Sequence, residues 1–234
     1  MKEMLRKAGE QAGIHLDDLA WERLARHWEL VQEANSKFNL TAITGQEQAV
    51  EKHYLDSLLA LELLDTLPGA LCDLGSGGGF PGLVLAIARP ERPITLVEAT
   101  EKKCAFLEEC GAELGLSQLR VVNARAEEAG RDPALREQFP VVTARALAAL
   151  NVLCEYGLPL LAEGGTLLAY KGAGWEEEAE AAANALSLLN GTLGESRLYQ
   201  LPGGDQRCLL PVVKTGPCPE KYPRRPGMPT KRPL

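Results

Sequence analysis

The 234-residue chain has only three histidines, and its six cysteines (Cys72, Cys104, Cys110, Cys154, Cys208 and Cys218) form no C-x-x-C pair. A zinc site has little to be built from, and no metal is expected. Cysteines set mostly within apolar runs indicate buried, reduced thiols of a cytoplasmic protein rather than disulfides. No run of 18 apolar residues occurs, and the opening MKEMLRKAGEQAG lacks the apolar stretch of a signal peptide. Neither membrane insertion nor secretion is expected. Disorder is excluded as the dominant state, because 45% of residues are apolar and 24% charged, as in ordinary globular proteins. The length suits one domain, or a domain with a modest extension.

Net charge is −7, which does not advertise a nucleic-acid binder, but the charge is unevenly placed. Residues 216–234 hold Lys221, Arg224, Arg225, Lys231 and Arg232 against one acid, Glu220, so this segment is +4 and the rest is −11. A Pro-rich basic tail on an acidic body either solubilises the chain or holds phosphates.

Residues 16–31 place Leu16, Leu19, Ala20, Leu24, Trp28 and Val31 at helical spacing, with Asp17 or Asp18 near the start. Trp21 and Trp28 read as core. Thr44-Gly45-Gln46-Glu47 has the form of a capping box and predicts a second helix through about residue 64. Beyond residue 70 the texture changes to strands (71–74, 94–99, 120–124, 141–146, 165–172) alternating with helices (82–88, 102–114, 150–161, 175–189). The acids Glu176, Glu177, Glu178 and Glu180 read as a solvated helix face. Two last strand-like runs, 197–201 and 208–214, flank Pro202-Gly203-Gly204 and predict a hairpin. The expectation is an α/β fold with a mostly parallel sheet covered on both faces and a C-terminal antiparallel strand. Three parts are expected: an N-terminal helical extension (1–65), a cofactor-binding domain (66–215) and the Pro-rich basic tail (216–234).

The informative segment is Asp73-Leu74-Gly75-Ser76-Gly77-Gly78-Gly79-Phe80-Pro81-Gly82, between a strand and a helix at the carboxyl edge of the sheet. Open α/β folds bind ligands there, and glycines let the backbone approach a cofactor closely. Gly77-x-Gly79-x-x-Gly82, with Glu98 about 20 residues on, fits a dinucleotide and hence an NAD-dependent oxidoreductase. Asp73-x-Gly75-x-Gly77-x-Gly79 fits an S-adenosylmethionine site of the Rossmann-like methyltransferase class. Charge favours the second: Asp73 would repel a pyrophosphate but suit a ligand bearing a sulfonium and an ammonium. Glu98 then accepts from both ribose hydroxyls.

Several segments together resemble the glucose-inhibited division protein B family, bacterial guanine-N7 methyltransferases of small-subunit ribosomal RNA. They are Asn39-Leu40-Thr41-Ala42-Ile43, His53-Tyr54-Leu55-Asp56-Ser57-Leu58, the loop ending Gly79-Phe80-Pro81-Gly82, Arg145-Ala146, Tyr170-Lys171-Gly172 and Lys221-Tyr222-Pro223-Arg224-Arg225-Pro226-Gly227. They lie in family order across nearly the whole chain. The resemblance implies a Rossmann-like class I methyltransferase fold with S-adenosyl-L-methionine as cofactor. The implied substrate is a guanine of 16S rRNA, guanine 527 in standard rRNA numbering, within the small subunit or an assembly intermediate. A monomer is expected. Gly75, Gly77 and Phe80 are expected to line the donor site, with Asp73 ordering the loop. Glu98, Ala99 and Thr100 are expected at the ribose, Ala126 and Glu127 at the adenine, largely through backbone, and Arg145 facing donor or substrate.

Guanine N7 carries a lone pair and no proton, so its methylation needs alignment and proximity rather than a general base. The chain accordingly has no Asn/Asp-Pro-Pro-aromatic motif of the exocyclic-amine enzymes. Pro217-Cys218 superficially matches the nucleophile of cytosine-C5 methylation, but it sits in the Pro-rich tail. Arg145 and Lys171 are candidates to read guanine O6 or a phosphate. Asn39 either meets the base edge or caps the first helix. His53 and Asp56, three apart on a helix, either pair structurally or line the substrate cleft. A non-catalytic RNA-binding ribosome assembly factor is the other alternative.

Overall fold

Strand side chains alternate between two apolar layers, and this alternation sets the architecture. The computed structural model describes all residues, 1–234. The strands are β1 (Leu71–Leu74), β2 (Ile94–Glu98), β3 (Leu119–Asn123), β4 (Phe139–Arg145), β5 (Leu161–Lys171), β6 (Gly191–Leu193), β7 (Arg197–Gln200) and β8 (Gln206–Lys214). They form one sheet in the order β3-β2-β1-β4-β5-β8-β6, with β7 also paired to β8. The first five strands are mutually parallel. β8 enters antiparallel beside β5, and the β7–β8 hairpin is the one expected from Pro202-Gly203-Gly204.

Leu71, Ile94, Leu96, Val141 and Leu168 face one layer; Cys72, Leu74, Val97, Val142 and Leu167 face the other. The first layer holds α1 (Lys2–Gln11), α2 (Asp18–Asn35), α3 (Gln46–Ala49), a π-helical turn at Val50–Leu55, α4 (Asp56–Leu58), α5 (Leu61–Leu64), α6 (Gly82–Ala88) and α7 (Glu101–Glu113). The second holds α8 (Ala126–Ala129), α9 (Leu150–Gly157), α10 (Trp175–Ala181) and α11 (Ala183–Leu189). Trp21 and Trp28, 2% and 1% exposed, are core residues in the same apolar cluster as Leu83, Leu96 and Phe106. The N-terminal helices are thus built into the wall of the sheet. All six cysteines are buried and unpaired.

Local details depart from the sequence reading. Asp17 caps α2 by accepting from the Ala20 amide at 2.7 Å. Thr44 does not cap α3; Gly45 takes that position without a side-chain bond. The expected single helix through residue 64 is interrupted by the π-helical turn and again before α5. Ala182 separates α10 from α11 in what read as one helix.

The C-terminal segment is folded back and not free. Arg136 donates to the carbonyls of Cys218 and Tyr222, and Arg131 to that of Pro223. Tyr156 Oη lies 3.1 Å from Thr230 Oγ1, beside the short α12 (Met228–Lys231).

Candidate active site

β1 delivers the chain to the carboxyl edge, where the glycine loop turns it into α6. Beneath the loop, Asp73 is fully buried. Its Oδ1 accepts from Thr143 Oγ1 at 2.7 Å and its Oδ2 from the Gly82 amide at 3.2 Å. Burial pushes its carboxyl up to about 6, against the lowering effect of the Thr143 bond. Asp73 therefore ties the start of α6 to the end of β1 from below. A Cβ on Gly82 would stand 2.6 Å from Asp73 Cβ, so only glycine lets α6 start against the strand. Gly77 takes φ +56, a left-handed conformation that glycine adopts without strain.

Glu98, at the end of β2, reaches the same loop. Its Oε2 accepts from the Gly77 amide at 3.0 Å and its Oε1 from the Thr100 amide at 2.8 Å. Ala99 and Thr100 are exposed beside it. Both carboxylate oxygens keep a further lone pair, so the residue suits two vicinal hydroxyls as well. This open edge, with its glycine loop and carboxylate, fits a nucleoside-bearing cofactor.

Two expected donor-site residues have their side chains engaged elsewhere. Phe80, 7% exposed, is drawn into the wall between the loop and the helical layer. Its ring stacks on His53 at 4.3 Å and meets Tyr54 edge-on at 5.2 Å, so it shapes the loop rather than offering an open face. Glu127 is buried and accepts from the Gly227 amide at 2.8 Å; its carboxylate serves the C-terminal segment. Ala126, half-buried at the start of α8, offers backbone and a methyl group there.

Past the ends of β4 and β5 lies a cavity of about 610 Å³, lined by Lys52, His53, Asp56, Arg145, Lys171 and Glu178 among others. Arg145 is its centre. Its Nη1 donates to Asp56 Oδ2 and to the Lys52 carbonyl, both at 2.8 Å, and its Nη2 to His53 Nδ1 at 3.2 Å. The next residue, Ala146, holds φ +53, an uncommon conformation for a side chain with a Cβ. Because Arg is always a donor, His53 Nδ1 must carry the lone pair, and Nε2–H donates to Thr41 Oγ1 at 2.8 Å. Burial, aided by the Arg145 charge, pushes the imidazole down to about 3, so it is neutral at physiological pH. Asp56 takes a second bond from Tyr199 Oη at 2.8 Å.

Lys171 also lines the cavity but is already engaged. Its Nζ donates to Glu178 at 2.6 Å and to the Ala148 carbonyl at 2.8 Å. Glu178 also receives the Leu150 amide, so it belongs to the site and not to a solvated face. Asn39 does not line the cavity. It is exposed, without a hydrogen bond, while Asn35 caps the turn by accepting from the Leu40 and Thr41 amides. His53 and Asp56 do not bond each other; each binds Arg145, and both line the cavity.

The sequence reading missed His27, fully buried, whose Nε2 lies 3.0 Å from the Gly78 carbonyl. The available signal was a lone histidine on the apolar face of α2. For Arg224, in the basic tail, the sequence leaves two roles open, solubilising the chain or holding phosphate, and the structure shows a third. It forks onto fully buried Glu155, Nη2 to Oε2 at 2.6 Å and Nε to Oε1 at 2.9 Å. Lys221 and Arg225 remain exposed.

The parallel five-strand core with an inserted antiparallel strand and a glycine loop after β1 is the architecture of the Rossmann-like methyltransferases. An O-methyltransferase from Bacillus cereus, solved in complex with SAH, superposes with a TM-score of 0.58 at 16% identity, covering 81% of this chain and 91% of that one. Residues 20–197 match the GidB family, rRNA small subunit methyltransferase G. The ribosomal RNA small subunit methyltransferase G of Pelotomaculum thermopropionicum is 44% identical over 100% of this chain and 99% of its own length. That of Roseiflexus castenholzii is 46% identical, with full coverage of both chains. The chain belongs to this family.

Proposed function

We propose that this chain is an S-adenosylmethionine-dependent methyltransferase that modifies N7 of a guanine in 16S rRNA, position 527 by the resemblance. Besides family membership, one observation supports the reading above the others. The loop clamped by Asp73 and Glu98 adjoins a cavity whose wall contains no free base. His53 is neutral but has both ring nitrogens occupied, Asp56 is paired with Arg145, and Glu178 with Lys171. An acceptor nitrogen bearing a lone pair and no proton is the nucleophile such a wall serves.

Bound S-adenosylmethionine supplies an electrophilic methyl on a sulfonium. The chain's own work is positioning. Glu98 holds the ribose, and the loop from Gly75 to Gly82 fixes the donor's approach. Arg145, anchored by Asp56 and the Lys52 carbonyl, presents a rigid wall at the end of β4. Positive charge passes to the guanine ring during transfer. Cations neutralised by Asp56 and Glu178 repel that ring less than bare ones would.

N7 lies in the deep, narrow major groove of A-form RNA, so the target nucleotide must be presented from a loop or an opened helix. The small subunit or an assembly intermediate, encountered in the cytoplasm by a monomeric enzyme, is the proposed setting. No helix is long and apolar enough to cross a membrane. The test is transfer of tritium from labelled donor into unmodified small subunits, followed by mapping of the nucleotide. Label at guanine N7 is expected. Donor binding without transfer to any RNA would leave a non-catalytic assembly factor, and label on an exocyclic amine would overturn the mechanism.

A further inference from the structure

Two side chains of the N-terminal helical layer form a hydrogen-bonded chain that ends on one carbonyl of the glycine loop. His27, from the middle of α2, and Tyr54, from the π-helical turn, are both 0% exposed. His27 Nε2 lies 3.0 Å from the Gly78 oxygen, and Tyr54 Oη lies 3.0 Å from His27 Nδ1. The proton positions follow from chemistry. A carbonyl only accepts, so Nε2 carries the hydrogen; Nδ1 then holds a lone pair, and the Tyr54 hydroxyl donates to it. The imidazole also packs against Phe80 of the same loop, with ring centroids 5.1 Å apart.

This chain meets the loop opposite Glu98. Glu98 holds the Gly77 amide; His27 holds the carbonyl of the adjacent residue. The loop is thus held at adjacent residues, from β2 on one side and α2 on the other. The Glu98 hold is the one a ribose would share, because the hydroxyls use the remaining lone pairs of the same carboxylate. The His27 hold is fully enclosed in protein.

We infer that His27, oriented by Tyr54, is a positioning residue for donor binding: it keeps the Gly78 peptide in place when Glu98 takes the ribose. The inference rests on the methyltransferase reading. It also makes the N-terminal layer part of the donor site's support.

The variants are His27→Phe, which fills the space without a donor, His27→Gln, whose amide can restore a hydrogen bond to the Gly78 carbonyl, and Tyr54→Phe. Donor affinity is measured by calorimetry without RNA, KM for RNA separately, and exchange of the Gly79 amide in donor-free protein by NMR. His27→Phe is expected to weaken donor binding about tenfold and speed Gly79 exchange, with KM for RNA within twofold of wild type, and His27→Gln to recover most of the affinity. Tyr54→Phe, the milder change, is expected to weaken donor binding about threefold and serves if His27→Phe does not fold. Unchanged donor affinity in either folded variant would overturn the inference, as would equal changes in donor and RNA parameters. A wild-type protein that binds no S-adenosylmethionine would instead strike the functional reading, while Gly79 exchange would still report on the His27 contact.

Discussion

Arg224 lays its guanidinium along the carboxylate of Glu155, a fully buried side chain of α9, and adds its own backbone amide at 2.7 Å. The basic C-terminal segment is thereby divided. Arg224 holds the segment to the body, while Arg225 stays in solvent. Replacing Arg224 with Gln leaves Glu155 buried with its ion partner gone. Breaking a buried pair costs roughly 3–5 kcal/mol, and partial exposure of Arg224 places this case near the lower end. Chemical denaturation is expected to show that loss, with no change in the salt slope of RNA binding.

Arg225 gives the opposite result. If it grips a phosphate, Arg225→Gln leaves stability within about 0.5 kcal/mol, as for ordinary surface changes. The slope of log affinity against log salt falls by about 0.7 on single-stranded RNA. Parallel salt plots with equal intercepts would make the exposed cations of this segment solubilising only.

Glu98 has two duties, and its variants separate them. Glu98→Ala removes the ribose acceptor and is expected to weaken S-adenosylmethionine binding by about 1.5–3 kcal/mol. Glu98→Gln keeps the shape but turns an amide NH2 toward either the Gly77 or the Thr100 N–H, which both need acceptors. Calorimetry is expected to show the Gln variant impaired nearly as much as the Ala variant. Wild-type donor affinity in a folded Glu98→Gln protein would remove the carboxylate from the ribose site.

Much of this fold is written locally. Alternating apolar strands, the glycine loop and the hairpin glycines each act within a few residues, and all are where the sequence places them. Long-range polar pairs are not legible in the same way. His27 meets Gly78 51 positions away, Glu155 meets Arg224 69 away, and Arg145 meets Asp56 89 away. In sequence, Glu178 is one of four acids on an Ala-rich helix; the turn from β5 into α10, which packs on α9, brings it back to Lys171 seven positions earlier. The same holds for Phe80, whose motif marks the donor loop but whose ring is claimed by His53 and Tyr54. Local pattern specifies elements, while side-chain partners depend on how those elements are stacked.

The chemical step is expected to be nearly independent of pH from about 6.5 to 9, because N7 loses no proton. His53 is the cavity's imidazole, and with its acidity near 3 it has no protonation to lose in that range. Single-turnover rates with saturating RNA check this. A tenfold rise per pH unit, following a protein group, would contradict the mechanism.

Stability should instead depend on pH below that range, and the sign follows from three buried groups. Burial lowers His27 to about 4 and His53 to about 3, so the folded state keeps both neutral where the unfolded chain, near 6.5, binds protons. Their contribution is therefore lost as pH falls below about 6.5. Asp73 works the other way: burial raises it to about 6, so between 6 and about 4 the folded state binds a proton that the unfolded chain does not. Two groups take up protons on unfolding and one releases a proton, which leaves a net uptake of about one between pH 4.5 and 5.5. Urea midpoints are expected to fall on acidification through that window. In His27→Gln, one of the two uptakes is gone and Asp73 cancels the other, so the midpoint curve should flatten there. An equally steep fall in that variant would show that His27 is protonated in the folded state.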